Sequence, residues 1–176
     1  YRGANAMTQD WKPTPIRRVI TGHEADGTAT VIIDDIAANI KSTRPNQYST
    51  LMWCTDSAPA DMPVGRDVED MGARILGTYP PVNGTRFMIA DYPPNNEPFM
   101  HRTETIDYIV ILSGKIDMEL DDGEVVTMGP GEVMVMAGRP AVGKTALAIQ
   151  IADNVVRNGG KANTGSSRQP GKSPFF

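Results

Sequence analysis

The sequence predicts a mainly β protein, a barrel or sandwich of short, closely spaced strands, with one helix near the C-terminus. Three observations carry this reading. Runs of β-branched and other apolar residues recur between Gly, Pro and Asp turn signals from residue 16 to 137. Lys115-Ile116-Asp117-Met118-Glu119-Leu120 alternates charged and apolar side chains without a break, as a strand with one wet face must. After Gly138 the pattern changes, and Ala148, Ile151, Ala152 and Val155 fall at helical spacing.

Residues 1–15 are read as an N-terminal extension. Ile16–Ile20 and Thr28–Ile33 flank Gly22-His23-Glu24-Ala25-Asp26-Gly27, whose Asp-Gly pair predicts a hairpin with His23 in the turn. Asp34 and Asp35 close the second strand. Tyr48–Cys54 is the third strand. Ser57–Asp70, rich in Pro and acids (Asp61, Asp67, Glu69, Asp70), reads as a solvated loop, and Met71–Thr78 as a short extended piece. Thr85–Asp91 is a further strand, stopped where Pro93-Pro94 cannot continue a ladder. Ile106–Leu112, Lys115–Leu120, Val125–Met128 and Glu132–Ala137 form a meander. Its turns are Ser113-Gly114, Asp121-Asp122-Gly123-Glu124 and Gly129-Pro130-Gly131. The predicted helix runs over residues 145–156 and stops at Gly159-Gly160, and residues 161–176 have a disordered composition.

Composition excludes several classes of function. A formal charge of −4 argues against a broad nucleic-acid or anionic-membrane surface. No apolar run approaches the roughly 18 residues of a membrane span, so no membrane partner is expected. The single cysteine, Cys54, excludes an intrachain disulfide and fits a reducing, cytoplasmic setting. Beside Trp53 it is expected as a small buried hydrophobe. Asn83-Gly84-Thr85 is expected as a turn.

Residues 16–136 resemble a small single-domain cupin. The resemblance rests on Arg17-Arg18-Val19-Ile20-Thr21-Gly22-His23, on Met100-His101-Arg102-Thr103-Glu104-Thr105-Ile106-Asp107 running to Gly114, and on the Asp121–Glu124 turn with Gly129-Pro130-Gly131-Glu132. It implies a jelly-roll barrel whose mouth often holds a divalent metal and a small organic ligand. Asp107 and Gly114 keep the spacing of the family's first motif, and His101 takes its first histidine position. Thr103 stands where the second histidine would be, and a hydroxyl is a poor ligand for a first-row metal. His23 and His101 are the only two histidines, so one subunit cannot assemble a three-histidine site. The residual metal candidates are His101, Glu104 and Asp107, against the plainer reading of His101 as a hydrogen-bonded residue at a strand start.

A second resemblance overlaps the end of the first. Gly138-Arg139-Pro140-Ala141-Val142-Gly143-Lys144-Thr145 satisfies the phosphate-loop pattern, and with Val135–Ala137 and Ala146–Ala152 it looks like the Walker A segment of RecA-like bacterial replicative helicases. Carried across, Gly138 and Gly143 would shape the loop, Lys144 would meet phosphate and Thr145 would meet Mg²⁺ of Mg-ATP. The later catalytic groups of that family have no room in the remaining chain, so no ATP hydrolysis is expected. The sequence thus reads as a chimera, with a cupin-like domain at 16–138, a P-loop and helix appendage at 139–160, and a tail at 161–176. Its barrel is expected to be incomplete, with an open sheet edge that invites a homodimer. The function expected is that of a cupin-domain protein of small-molecule-binding or metal-dependent ancestry without a complete metal site. The alternative is a nucleotide-binding P-loop protein.

Overall fold

The computed structural model describes residues 11–61, 64–101, 105–137 and 148–150, with the backbone alone at Thr43 and at 148–150. Among these residues every regular element is a strand, and none of the sheets closes on itself. The protein is therefore mainly β, as the turn-punctuated apolar runs predict. No helix among the described residues is long and apolar enough to cross a membrane. The chain divides into two compact units, Tyr1–Pro93 and Pro94–Phe176.

In the first unit, β1 (Arg17–His23) and β2 (Ala29–Ile36) form an antiparallel hairpin. Gly27 takes φ 85°, a conformation that favours glycine, and Asp26 accepts the Thr28 N–H at 2.9 Å to fix the turn. The turn keeps the Asp26-Gly27 pair as expected, but β1 runs on through Gly22 and His23. His23 is the exposed last residue of β1, not a turn residue. Register slips between Ile20 and Thr21, where an extra residue on β2 makes a bulge. The second sheet has the order β3-β4-β5, from Ile40–Arg44, Gln47–Cys54 and Arg86–Asp91. β3 carries little apolar signal of its own. Pro45 and Asn46, the latter at φ 62°, turn the chain so that β3 can pair with β4. The core of this unit gathers on and beside β4: Thr50, Leu51, Met52 and Cys54 are buried, as is Ala37.

The second unit contains a two-stranded sheet of β6 (Ile106–Val110) with β9 (Val133–Ala137). Its three-stranded sheet has the order β10-β7-β8, from Ala148–Gln150, Ile116–Glu119 and Val125–Met128. Ile116 and Met118 are buried and Glu119 is exposed, so the alternation reads directly into the fold. Gly123 at φ 82° and the Leu120 N–H bond to the Glu124 carbonyl close the β7–β8 hairpin. Ile111, Ile116, Met118 and Met128 form the core, with Ile109, Leu120, Val126, Met134 and Met136 packed against it.

One expectation is corrected here. Ala148, Ile149 and Gln150 were predicted within a helix, but they form β10, antiparallel to β7 with Ile149 opposite Met118. The free edge of β7 offers a row of backbone donors and acceptors, and pairing with it outweighs a weak helical period. The rest of the predicted helix, the tail at 161–176 and residues 1–10 lie outside the described residues.

Candidate functional site

The two faces of the β6–β9 sheet differ sharply. Alternation along β6 turns Asp107 and Ile109 to one side, and along β9 it turns Met134 and Met136 to the same side. Asp107 pairs in register with Met136, and Ile109 with Met134. That side meets the cluster of Ile111, Ile116, Met118 and Met128. The result is an apolar surface with four methionines, whose unbranched thioethers adapt to irregular shapes, and one carboxylate at its β6 start. The Asp107 carboxylate accepts the Thr105 hydroxyl at 2.8 Å.

His101 is exposed and stacks on Phe99, with ring centroids 5.5 Å apart and planes 16° apart. Its Nδ1 lies 3.2 Å from the Phe99 carbonyl oxygen, which holds the ring against its own strand entry. Glu104 lies outside the described residues. Among the described residues no three His, Cys, Asp or Glu side chains are grouped to hold a metal ion. His101 and Asp107 thus provide two candidate donors, where a catalytic metal takes three. Gly138, Gly143, Lys144 and Thr145 also lie outside the described residues. β9 ends at Ala137, immediately before the phosphate-loop pattern.

The first unit holds a different polar centre. The Arg18 guanidinium, its side chain only 6% exposed, donates to Asp35 at 2.8 and 3.0 Å and to Asp70 at 2.8 and 2.5 Å. Hydrogen bonds from Arg18 hold both carboxyls below their usual range, and the two acids push the guanidinium pKa up. From the sequence alone, Asp35 reads as a strand stop and Asp70 as a solvated loop acid. Both are instead ligands of one buried cation. Nearby, Arg74 donates to Glu69 and to Asp56, and Asn39 Nδ2 donates to the carbonyls of Gly72 and Arg74 at 2.9 and 2.8 Å. These contacts tie the segment Glu69–Leu76 to the sheet without making it a strand, so the short extended piece expected at 71–78 is a strapped loop. The cleft between Lys41, Arg74, Leu76 and Arg86 has a volume of about 10 Å³, room for one water molecule and no organic ligand.

The methionine-lined face was not singled out from sequence. Its signal was present in the alternation of Ile116, Met118 and Leu120. Which face of β6 and β9 turned inward needed the register.

No family model matches the chain. Phomopsin biosynthesis cluster protein C' of Diaporthe leptostromiformis is 35% identical over 127 residues, covering 69% of this chain and 66% of that protein. Oryzines biosynthesis cluster protein J of Aspergillus oryzae is 31% identical over 128 residues, covering 70% of each. A cupin-domain-containing oxidoreductase of Aspergillus ruber, fogC, is 29% identical over 119 residues, covering 67% of this chain and 58% of that protein. The chain is similar to fungal proteins named for biosynthesis clusters and to cupin-domain-containing oxidoreductases, which support a cupin domain in it, and it spans about two thirds of their length. These relatives support the cupin part of the sequence reading, and the helicase-like segment gains no support from them.

Proposed function

We propose that the chain is a small-molecule-binding cupin whose ligand is a largely apolar organic compound. That ligand rests against the methionine-lined face of the second unit, with Asp107 as the polar group that orients it. The observation that carries the reading is Met136 in register with Asp107 and Met134 with Ile109, on the side of the sheet that packs against buried Met118 and Met128. Ligand sites are mostly apolar with a few placed polar groups, and thioethers repack around varied shapes. The names of the relatives favour a role in the biosynthesis of a secondary metabolite, with oxidoreductase chemistry as its direction. Titration with the apolar dye Nile red tests the binding part. Saturable binding, weakened at least ~10-fold by Met136→Lys and unchanged by Tyr108→Ser, supports it. Binding that neither saturates nor responds to Met136→Lys sinks it.

A divalent metal on His101, Glu104 and Asp107 is the finer part of this reading. Its support is the Asp107–Gly114 spacing and the position of His101 ahead of β6. The lack of a third His, Cys, Asp or Glu grouped with them among the described residues weighs against it. Titration with Fe²⁺ against Ca²⁺, in the parent and in His101→Ala, distinguishes the two. Equal affinity in both proteins removes the metal site.

The alternative reading, Mg-ATP at Gly138, Gly143, Lys144 and Thr145 in a segment joined to the cupin part as a chimera, draws on one observation: β9 ends at Ala137, directly before the loop pattern. Such a loop normally opens a helix whose N-terminus meets the phosphate, and the strand at Ala148–Gln150 weakens the parallel. Mg-ATP binding abolished by Lys144→Ala would restore it, and equal binding or none in both proteins would end it.

A further inference from the structure

The outer face of the β6–β9 sheet is apolar and open. Ile106 pairs with Ala137, Tyr108 with Val135 and Val110 with Val133, so these six side chains form three adjacent cross-strand pairs on one surface. Ile106, Tyr108, Val110, Val133 and Val135 are 60%, 77%, 52%, 62% and 60% exposed. A strand face left to water ordinarily carries polar side chains. The open side of the β1–β2 hairpin also exposes Val19, Val31 and Ile36, but the Arg17–Asp34 ion pair lies among them. The outer face of β6–β9 carries no charge, and its one polar atom is the Tyr108 hydroxyl.

We infer that this face is the site at which a second copy of the chain packs, sheet against sheet about a two-fold axis. The area is of the right size: the five large side chains expose roughly 600 Å², near the most that a monomer commonly leaves open. Doubled across an isologous contact it comes to about 1,200 Å², the lower end of specific interfaces. Charge singles out the same face. At a net −4, two copies repel one another through their charged surfaces, and this neutral face is where they can meet without that penalty. Face-to-face sheets require apolar side chains on both inner surfaces, and a two-fold axis supplies the same three pairs from each copy. A nucleic acid or an anionic membrane finds no cation among these six residues. The contact is independent of the ligand proposed above, because it uses the opposite side of the same two strands.

Sedimentation velocity of the full chain across a wide concentration range tests the inference. The parent is expected to be a dimer that dissociates on dilution, and Tyr108→Glu and Val135→Glu are each expected to raise the dimer Kd at least ~10-fold with an unchanged far-UV circular dichroism spectrum. Should the charged variants misfold, Tyr108→Cys in a Cys54→Ser background provides a second readout. A short bis-maleimide then gives a covalent dimer, whereas Val82→Cys, at a fully exposed position in the other unit, gives none. A parent that is monomeric at every concentration overturns the inference. So does a dimer indifferent to Tyr108→Glu, which would point to a free strand edge, or a continuous series of larger aggregates. Dye binding that Met136→Lys leaves unchanged, with the dimer intact, would count against the proposed ligand face alone.

Discussion

Arg18 and Asp70, 52 residues apart in sequence, meet through two parallel hydrogen bonds of 2.8 and 2.5 Å. The same guanidinium grips Asp35 with its remaining edge. One cation on β1 therefore fastens both its hairpin partner and the loop that precedes Gly72. Planar bidentate pairing of this kind is what arginine does and lysine cannot.

Removing that cation leaves two carboxylates facing each other across the space it filled. Arg18→Met is expected to destabilise the first unit by about 3 kcal/mol, and Arg18→Lys to recover only part of the loss. Both tryptophans, Trp11 and Trp53, lie in residues 1–93, so urea unfolding followed by tryptophan fluorescence reads this unit alone. An unchanged midpoint in Arg18→Met would show that the network contributes nothing net.

The pH dependence follows from the lowered carboxyl pKa of Asp70, which its hydrogen bonds from Arg18 cause against the opposing effect of burial. A group whose folded pKa is depressed contributes stability that is complete above its unfolded value, near pH 4. That contribution is lost as pH falls through the lower folded value. Asp35, Asp34 and Glu69 are shifted in the same direction by their arginine partners. The urea midpoint should hold steady above about pH 5 and decline below about pH 4. Asp70→Asn should lower the midpoint at neutral pH and make the acid decline shallower.

Close packing around two glycines gives a third test. A Cβ on Gly72 would overlap the Arg18 guanidinium and crowd the Met52 carbonyl, and one on Gly84 would overlap the Thr55 carbonyl. Gly72→Ala and Gly84→Ala should each cost about 1–3 kcal/mol. Gly129 has open space around it, and Gly129→Ala should fall within about 0.5 kcal/mol of the parent. Thermal unfolding of the three variants ranks them, and equal effects at all three positions would contradict the packing described.

Cys54 is 1% exposed, its Sγ donates to the Met71 carbonyl, and burial pushes its pKa up. The thiolate is the reactive form. Ellman's reagent should therefore react with Cys54 only as the first unit unfolds, at a rate that rises in step with the fluorescence change. Rapid reaction of the native protein would place the thiol at the surface.

Most strands could be read from the chain because their signals are local. Ile16–Ile20, Thr28–Ile33, Tyr48–Cys54, Thr85–Asp91 and the meander from Ile106 to Ala137 each fall on an observed strand with small shifts at the ends. β3 escaped, since Ile40-Lys41-Ser42-Thr43-Arg44 has one strongly apolar residue and owes its pairing to the Pro45-Asn46 turn. β10 escaped because an edge elsewhere in the fold decides its conformation. The partners of Arg18 were illegible for a related reason: a sequence displays charges, and only the folded chain shows which acid 52 residues away reaches which base. Of the candidate site, Asp107 could be found by its spacing to Gly114. The methionine cluster comes from three different strands and needed the register to assemble.

The thioethers of the second unit set how the chain would age in the presence of peroxide. Met100, 41% exposed, meets an oxidant first and can take up oxygen at little structural cost, while Met118 and Met128, at 0% and 5%, are shielded. A sulfoxide is polar and larger than the sulfur it replaces. Once an opening fluctuation let one form at Met118, the strands could not close over it again, and slow chemical damage would turn a reversible excursion into a one-way exit from the native state.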